Sequence, residues 1–133
     1  PFDGAHYNYY TTTRGVLEKV RAHEGNPDFE VQPEFLSLLS SGDFGRYADE
    51  NGEMKVCFIS NNDITGGNSG SAMFNARGEL LGLAFDGNWE AMSSDILYEP
   101  DMQRCIGVDI RYVLFVIEKY GKASELIREL KIG

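Results

Sequence analysis

The pattern of apolar and polar residues predicts β-strands in the middle of the chain and helices on either side. Strands are expected at residues 54–60, 72–74, 80–85 and 104–109. Helices are expected at residues 33–40, 110–120 and 122–130. Three consecutive threonines favour a further strand at residues 11–20. Residues 87–102, which include Trp89, have the composition of a polar loop.

A glycine-rich polar loop, residues 61–71, separates two of the predicted strands. Glycine allows positive φ and close approach to the main chain, so Ser69, between Gly67 and Gly70, would be presented among amide groups. This arrangement suits a serine nucleophile with an oxyanion hole. A solvated turn and a phosphate-binding loop are the alternatives, but the latter requires a lysine and a following helix. The glycine spacing and the hairpin that follows favour a β-barrel serine peptidase over an α/β-hydrolase.

Composition narrows the class of protein. The 133 residues suffice for one domain with a core, and 42% hydrophobic with 25% charged residues fits a globular fold. A net charge of −9 disfavours nucleic acid as a partner. No apolar run approaches the ~20 residues of a membrane span. Because residue 1 is proline rather than methionine, we expect a piece of a longer protein or a processed product.

The two cysteines, Cys57 and Cys105, lie in apolar, strand-like segments. Two reduced thiols are the favoured interpretation, and a disulfide is the alternative if the protein is exported. With no Cys-x-x-Cys and only two histidines, we expect no metal site.

The serine loop carries a specific resemblance. Gly67-Asn68-Ser69-Gly70-Ser71 resembles the Gly-Asp-Ser-Gly-Gly loop of chymotrypsin-like peptidases. The longer run from residue 57 to 89 is similar to the bacterial dipeptidyl-peptidase 7 and dipeptidyl-peptidase 11 family of serine exopeptidases, as are residues 1–4, 42–48, 103–106 and 108–115. The resemblance implies a mainly β fold with helices. Residues 1–133 would be the C-terminal β-barrel lobe of a chymotrypsin-like double β-barrel, closed by a C-terminal helix, without its N-terminal barrel.

The resemblance also implies roles for individual residues. Ser69 would be the nucleophile, and the Gly67 and Ser69 amides the oxyanion hole. Gly87 stands where members selective for Asp or Glu before the scissile bond carry arginine, so a hydrophobic preference is expected. Asp86 is a candidate partner for the substrate's α-ammonium group, and Phe85 packs on the substrate or on the core. Each has a simpler interpretation as a turn, loop or core residue.

Other polar residues are not expected in the catalytic site. In the family the catalytic histidine and aspartate come from the N-terminal barrel, so His6 and His23 are interpreted as surface residues. Asp63 and Asp109 are interpreted as structural residues, and Trp89 as a core or interface residue. Asn68 replaces the aspartate that pairs with a newly cut N-terminus in trypsin-like enzymes, so activation of that kind is not expected.

The function implied is a serine dipeptidyl-peptidase that releases dipeptides from oligopeptides with free N-termini. The resemblance implies no cofactor, export to the periplasm or cell surface, and a homodimer at full length. The isolated chain is expected to be inactive and, because its barrel face would lack a partner lobe, to self-associate. The alternatives are a non-catalytic β-barrel peptide-binding module and an endopeptidase of the same fold.

Overall fold

The computed structural model describes residues 8–88 and 103–132. These residues divide into two units. The first comprises residues 8–11, 57–88 and 103–108, and the second comprises residues 12–56 and 109–132. The serine loop (residues 61–71) therefore belongs entirely to the first unit.

Five strands of the described residues make one sheet. They are β1 (Tyr10–Thr12), β2 (Lys55–Ser60), β3 (Ala72–Phe74), β4 (Leu80–Gly87) and β5 (Cys105–Asp109). Their order in the sheet is β1-β2-β5-β4-β3, with β2 antiparallel to β5 and β3 antiparallel to β4. The four strands predicted in the middle of the chain are confirmed, and β4 is two residues longer than expected. Closure of the sheet into a barrel stays a prediction.

The aromatic ring of Phe58 covers two glycines in the centre of this sheet. A Cβ at Gly107, its partner in the β2–β5 register, would lie 2.9 Å from the ring and 2.6 Å from the sulfur of Met73. A Cβ at Gly82 on β4 would lie 2.8 Å from the same ring and 2.2 Å from the carbonyl oxygen of Val108. A side chain at Gly82 would therefore push β4 away from β5, and a side chain at Gly107 would collide with the Phe58 ring and with Met73.

Helices make up most of the second unit. They are α1 (Thr13–Ala22), α2 (Pro33–Ser40), α3 (Ile110–Phe115) and α4 (Ser124–Glu129), with a π-helical continuation of α3 at Val116–Tyr120 and short 3-10 helices at Pro27–Phe29 and Gly45–Tyr47. Their shared core consists of Leu39, Phe44, Tyr47, Met54, Leu114, Phe115 and Ile127. Among the described residues, no helix is both long and apolar enough to span a membrane. The three helices predicted at residues 33–40, 110–120 and 122–130 are confirmed.

The strand predicted at residues 11–20 is wrong for most of its length. Only β1 is extended there, and α1 begins directly after it. The threonines favour extended backbone, but the apolar residues that follow, Val16, Leu17 and Val20, have helical spacing. Val16 and Leu17 pack against the core of the second unit. Burial of this helical face outweighs the strand preference of the threonines.

Asp109 joins β5 to α3 and has the structural role expected of it. Its carboxylate accepts a hydrogen bond from the main-chain amide of Arg111 at 2.9 Å, which caps the helix. The same carboxylate also accepts two hydrogen bonds from the Arg111 guanidinium, at 2.8 and 2.7 Å. A bidentate pair of this kind holds both side chains at the beginning of the helix.

Tyr47 places a polar group inside the core of the second unit. The residue is 2% exposed, and its ring packs edge-on against Phe115 with centroids 6.3 Å apart. Its hydroxyl donates a hydrogen bond to Glu118 Oε2 at 2.6 Å. Burial and, to a lesser extent, the hydrogen bond to Glu118 raise the pKa of Tyr47 above its ordinary value of 10.0.

Replacing Tyr47 by phenylalanine removes this bond while it keeps the ring. We expect Tyr47→Phe to lower the free energy of unfolding by about 1.5–3 kcal/mol at neutral pH, the usual contribution of a hydrogen bond to a charged group. Because the pKa is raised in the folded state, this contribution is complete below pH 10.0 and is lost as the pH rises through the raised pKa. Denaturant unfolding measured at neutral and alkaline pH tests both statements.

The control for this comparison is Tyr9→Phe, at a tyrosine that is 62% exposed. It should leave the free energy of unfolding nearly unchanged. Equal stability of wild type and Tyr47→Phe at neutral pH would contradict the energetic role given to the bond.

Candidate active site

The serine loop leads from the end of β2 to the beginning of β3. Gly67 and Gly70 have φ angles of +92° and +88°. Residues with a Cβ rarely adopt this backbone conformation, so both positions require glycine. Ser69 lies between them and is exposed. The flanking glycines thus form the turns that present the serine.

The hydroxyl of Ser69 contacts the end of β4. Its Oγ donates a hydrogen bond to the carbonyl oxygen of Phe85 at 3.3 Å. Two main-chain hydrogen bonds fix the loop beside this contact, from the Gly70 amide to the Ala84 carbonyl at 2.7 Å and from the Ala84 amide to the Ser71 carbonyl at 2.9 Å. Residues 16 positions apart in sequence are thereby brought together.

The main-chain amides of Gly67 and Ser69 are two unbonded donors beside this hydroxyl. Within residues 8–88 and 103–132, neither donates a hydrogen bond, whereas the amides of Asn68, Gly70 and Ser71 each donate one. An N–H group without a partner on an exposed loop is available to an external acceptor. Two such donors, one of them on the serine itself, can bind the oxyanion that forms when the hydroxyl attacks a carbonyl carbon.

The side chain of Asn68 holds the first half of the loop. Its Oδ1 accepts hydrogen bonds from the Thr65 amide at 2.7 Å and from the Thr65 hydroxyl at 3.3 Å, while its own amide donates to the Thr65 carbonyl at 3.2 Å. The carbonyl of Asn68 accepts from the Ser71 amide at 3.0 Å. Sequence reasoning considered Asn68 only for the residue it replaces and missed Thr65. The available signal was an asparagine close to a threonine in a turn, where both side chains readily bond the main chain.

The last three residues of β4 follow the contact with Ser69. Phe85 has a side chain that is 46% exposed. Asp86 is exposed, and its Oδ1 accepts a hydrogen bond from the Gly87 amide at 2.8 Å. Gly87 is half-buried and belongs to the strand, so the loop expected to begin there begins later. Residues 89–102, including Trp89, lie outside the described residues.

A cavity of about 230 Å³ opens beside the serine loop. It is lined by Asn62, Asp63, Ile64, Asn68, Ser71, Ala72, Met73, Phe74, Ala84 and Cys105. Asp63 carries the one charge in this lining. Pockets for drug-sized ligands usually enclose about 300–1,000 Å³, so this smaller space suits a single side chain.

Within the described residues Cys57 and Cys105 form no disulfide, in line with their interpretation as reduced thiols, and Cys57 is only half-buried. The β2–β5 register pairs Cys57 with Val108 and Cys105 with Ser60. The two thiols are therefore three positions apart along the strands and on opposite faces of the sheet. A disulfide requires Cα atoms within about 7 Å, and three residues of strand span about 10 Å.

The reactivity of the two thiols should differ. Cys105 is 2% exposed, and burial raises the pKa of its thiol, against the opposing effect of its hydrogen bond with Ser60. Because the thiolate is the reactive form, we expect iodoacetamide to label Cys57 before Cys105 near neutral pH. Mass spectrometry of proteolytic peptides measures both rates. In a Cys57→Ser variant the remaining thiol should be slow in the folded protein and fast in denaturant, and equal rates would contradict the assignment.

His23 lies within the second unit and interacts with residues of that unit. Its Nδ1 is 2.9 Å from the carbonyl oxygen of Lys19, and its ring stacks on Phe29 with centroids 4.1 Å apart. It is half-buried rather than fully at the surface. His6 lies outside the described residues. In the part of the chain that is described, no three His, Cys, Asp or Glu side chains are grouped closely enough to hold a metal ion.

Known proteins resemble this chain along nearly its whole length. The Peptidase S46 family matches residues 1–132. A Dipeptidyl-peptidase 7 of Porphyromonas endodontalis is 61% identical over 132 residues, which cover 99% of this chain and 16% of that protein. An Asp/Glu-specific dipeptidyl-peptidase of Capnocytophaga gingivalis is 48% identical over 132 residues, 99% of this chain and 18% of that protein.

The fold of this chain is also similar to that of a solved structure. The crystal structure of Porphyromonas endodontalis DPP11 in complex with the dipeptide Arg-Glu superposes with a TM-score of 0.88 at 44% identity. The match covers 97% of this chain and 18% of that chain. The present chain thus spans less than a fifth of the length of these relatives.

Proposed function

The chain belongs to the peptidase S46 family, and we propose that it is the part of a serine dipeptidyl-peptidase that carries the nucleophile. The longer protein releases dipeptides from the free N-termini of oligopeptides. The observation that carries this proposal is the exposed Ser69 hydroxyl, fixed to β4 beside the unbonded amides of Gly67 and Ser69. The names of the relatives support the activity.

The reaction follows from this geometry by an acyl-enzyme route. Ser69 Oγ attacks the carbonyl carbon of the second substrate residue, and its proton passes to a general base. The oxyanion binds the Gly67 and Ser69 amides, and loss of one such donor typically lowers kcat by about 10²–10³. The base gives that proton to the amine of the shortened peptide, which leaves, and water then hydrolyses the dipeptidyl ester on Ser69 and releases the dipeptide. The bond from Ser69 to Phe85, at 3.3 Å, is long, so the hydroxyl can turn toward the base at little cost.

The general base comes from another part of the longer protein. By the family resemblance, a histidine and an aspartate of an N-terminal barrel act on Ser69, and residues 1–133 are the C-terminal lobe of a chymotrypsin-like double β-barrel. The same resemblance favours a homodimer in the periplasm or at the cell surface and a reaction without a cofactor. Without the base, Ser69 is an ordinary hydroxyl.

Asp86 recognises the free N-terminus of the substrate. It is exposed, it follows directly on the residue that contacts Ser69, and it is the one charged residue among positions 84–88. Its Oδ1 accepts a hydrogen bond from the Gly87 amide, and within the described residues Oδ2 has no hydrogen-bond partner. A carboxylate in this position can accept a charge-assisted hydrogen bond from an α-ammonium group.

A neutral, apolar side chain is preferred before the scissile bond. Positions 61–71 and 84–88 contain no lysine or arginine, and their two charges are the carboxylates of Asp63 and Asp86. An acidic substrate side chain would therefore meet repulsion and no cation there. Gly87 adds neither a side chain nor a charge, and the cavity beside the serine loop combines apolar and polar residues, with Asp63 as its one charge. The lack of a cation and the two carboxylates are therefore the basis for the proposed preference for apolar side chains, which is opposite to the preference named for the Asp/Glu-specific relatives.

Replacing Ser69 by alanine tests the proposed activity. In the longer protein, we expect Ser69→Ala to abolish release of fluorogenic groups from dipeptide substrates with free N-termini, because no other hydroxyl takes the place of the nucleophile. The matched control is Ser37→Ala, at an exposed serine on α2, which should keep full activity. The 133-residue chain alone should release nothing.

The same experiment separates the alternatives. Serine-dependent cleavage of N-terminally blocked peptides would indicate an endopeptidase instead. Peptide binding without serine-dependent release would indicate a non-catalytic binding module.

Introducing a cation at Gly87 tests the proposed specificity. Gly87 does not have a positive φ, so its backbone accepts a side chain. We expect Gly87→Arg to raise kcat/KM for substrates with Asp or Glu before the scissile bond by at least about tenfold and to lower it for Leu or Phe, since a charge-assisted bond is worth about 1.5–3 kcal/mol. Gly87→Ala, the uncharged control, should keep the hydrophobic preference. A wild-type preference for Asp or Glu would overturn the proposed specificity while the peptidase activity stands.

A further inference from the structure

We propose that Asn68 is a positioning residue, whose side chain keeps the amide of Gly67, and whose main chain keeps the amide of Ser69, in the orientation that binds the oxyanion. The proposal rests on the proposed function, because it explains how that site is held ready. It concerns the bonds between Asn68 and Thr65, which we call the Asn68–Thr65 clasp.

The clasp encloses the most flexible part of the serine loop. Three hydrogen bonds join Asn68 to Thr65, at 2.7, 3.2 and 3.3 Å. Between the two residues lie only Gly66 and Gly67, and consecutive glycines have the widest choice of backbone conformation. Without the clasp, the peptide unit that carries the Gly67 amide could turn over. The side-chain oxygen of Asn68 therefore opposes the one motion that would remove this donor.

The second amide is fixed through the main chain of the same residue. The carbonyl of Asn68 and the amide of Ser69 belong to one planar peptide unit. The Ser71 amide holds that carbonyl at 3.0 Å, and the Ser71 carbonyl is in turn bonded to β4. The direction of the Ser69 amide is therefore set by the bond on the opposite side of its own peptide plane. Asn68 thus orients the Gly67 amide through its side chain and the Ser69 amide through its main chain.

The neutral amide of Asn68 makes a cut N-terminus unnecessary. In trypsin-like enzymes an aspartate at this position pairs with a newly formed ammonium group. Here Oδ1 accepts two donors from Thr65 of the same loop, and positions 61–71 hold no cation. Thr65 of the same loop is therefore the partner of the Asn68 side chain, which is neutral and adds no negative charge beside the oxyanion.

The test is a pair of substitutions in the longer protein, read as kcat and KM separately. Asn68→Ala should lower kcat by about 100-fold with KM within about threefold, because the lost interactions act mainly in the transition state. Asn68→Asp keeps an oxygen that accepts both Thr65 donors and should stay within about tenfold of wild type, the effect of one added charge in a half-exposed site. Asn51→Ala, at an exposed asparagine of the second unit, is the control and should match wild type.

Inhibitor affinity separates positioning from a general structural effect. A dipeptide boronic acid forms a tetrahedral adduct with the serine that resembles the transition state. Asn68→Ala should therefore lower the affinity for the boronic acid by about 100-fold and the affinity for the product dipeptide by less than about threefold. Equal weakening of both ligands, an unchanged kcat in Asn68→Ala, or an Asp variant as impaired as the Ala variant would overturn the proposal.

Two further outcomes are also decisive. If Asn68→Ala does not fold, Asn68→Asp decides alone, and a loss of more than about tenfold overturns the proposal. If the wild-type protein shows no release that depends on Ser69, the proposed function fails and the proposal fails with it. An active wild type with an equally active Asn68→Ala removes only the role of Asn68.

Discussion

The pairing of the serine loop with β4 is the constraint on which the candidate site depends. The bonds from Gly70 to Ala84 and from Ala84 to Ser71 fix the loop to the strand, and the contact between Ser69 and Phe85 follows from them. The position of β4 is set in turn by its close approach to β5 at Gly82, where no side chain fits. A substitution at Gly82, in the middle of the sheet, would therefore displace Ser69 without touching it.

The two ends of the serine loop are held by different kinds of hydrogen bond. The sheet fixes one end of the loop through main-chain bonds, which any sequence able to form the strand can make. The other end is held by side-chain bonds of Asn68, which depend on residue type. Between them, Gly67 and Gly70 adopt conformations that other residues rarely reach. The chemistry of the loop therefore depends on a few positions, while most of its surroundings serve only to form the sheet.

The sequence predicts the parts of this site that have a local cause. Two apolar runs separated by a turn that contains Gly78 suffice to predict the β3–β4 hairpin, and glycines around Ser69 suffice to predict an exposed serine. The contact of Ser69 with Phe85 and the cavity beside it depend on strand order, which local patterns do not contain. Helix α1 was mispredicted for the same reason: its threonines favour a strand, and only burial of Val16 and Leu17 in the core of the second unit decides otherwise.

Proteins with closely similar backbones can prefer opposite substrate side chains, because the charge at a few positions determines which side chain is accepted. At 44% identity, the superposed DPP11 structure has a TM-score of 0.88 with this chain, so the two share their main-chain framework. On such a framework, a site accepts an acidic substrate side chain when a cation lies near it. A site rejects the same side chain when the cation is absent and carboxylates are nearby. In this chain Asp63 and Asp86 are the only charges on the serine loop and at the end of β4. Both would favour the cationic N-terminus of a substrate and oppose an acidic side chain, so a single local charge pattern underlies the proposed recognition of the free terminus and the proposed preference.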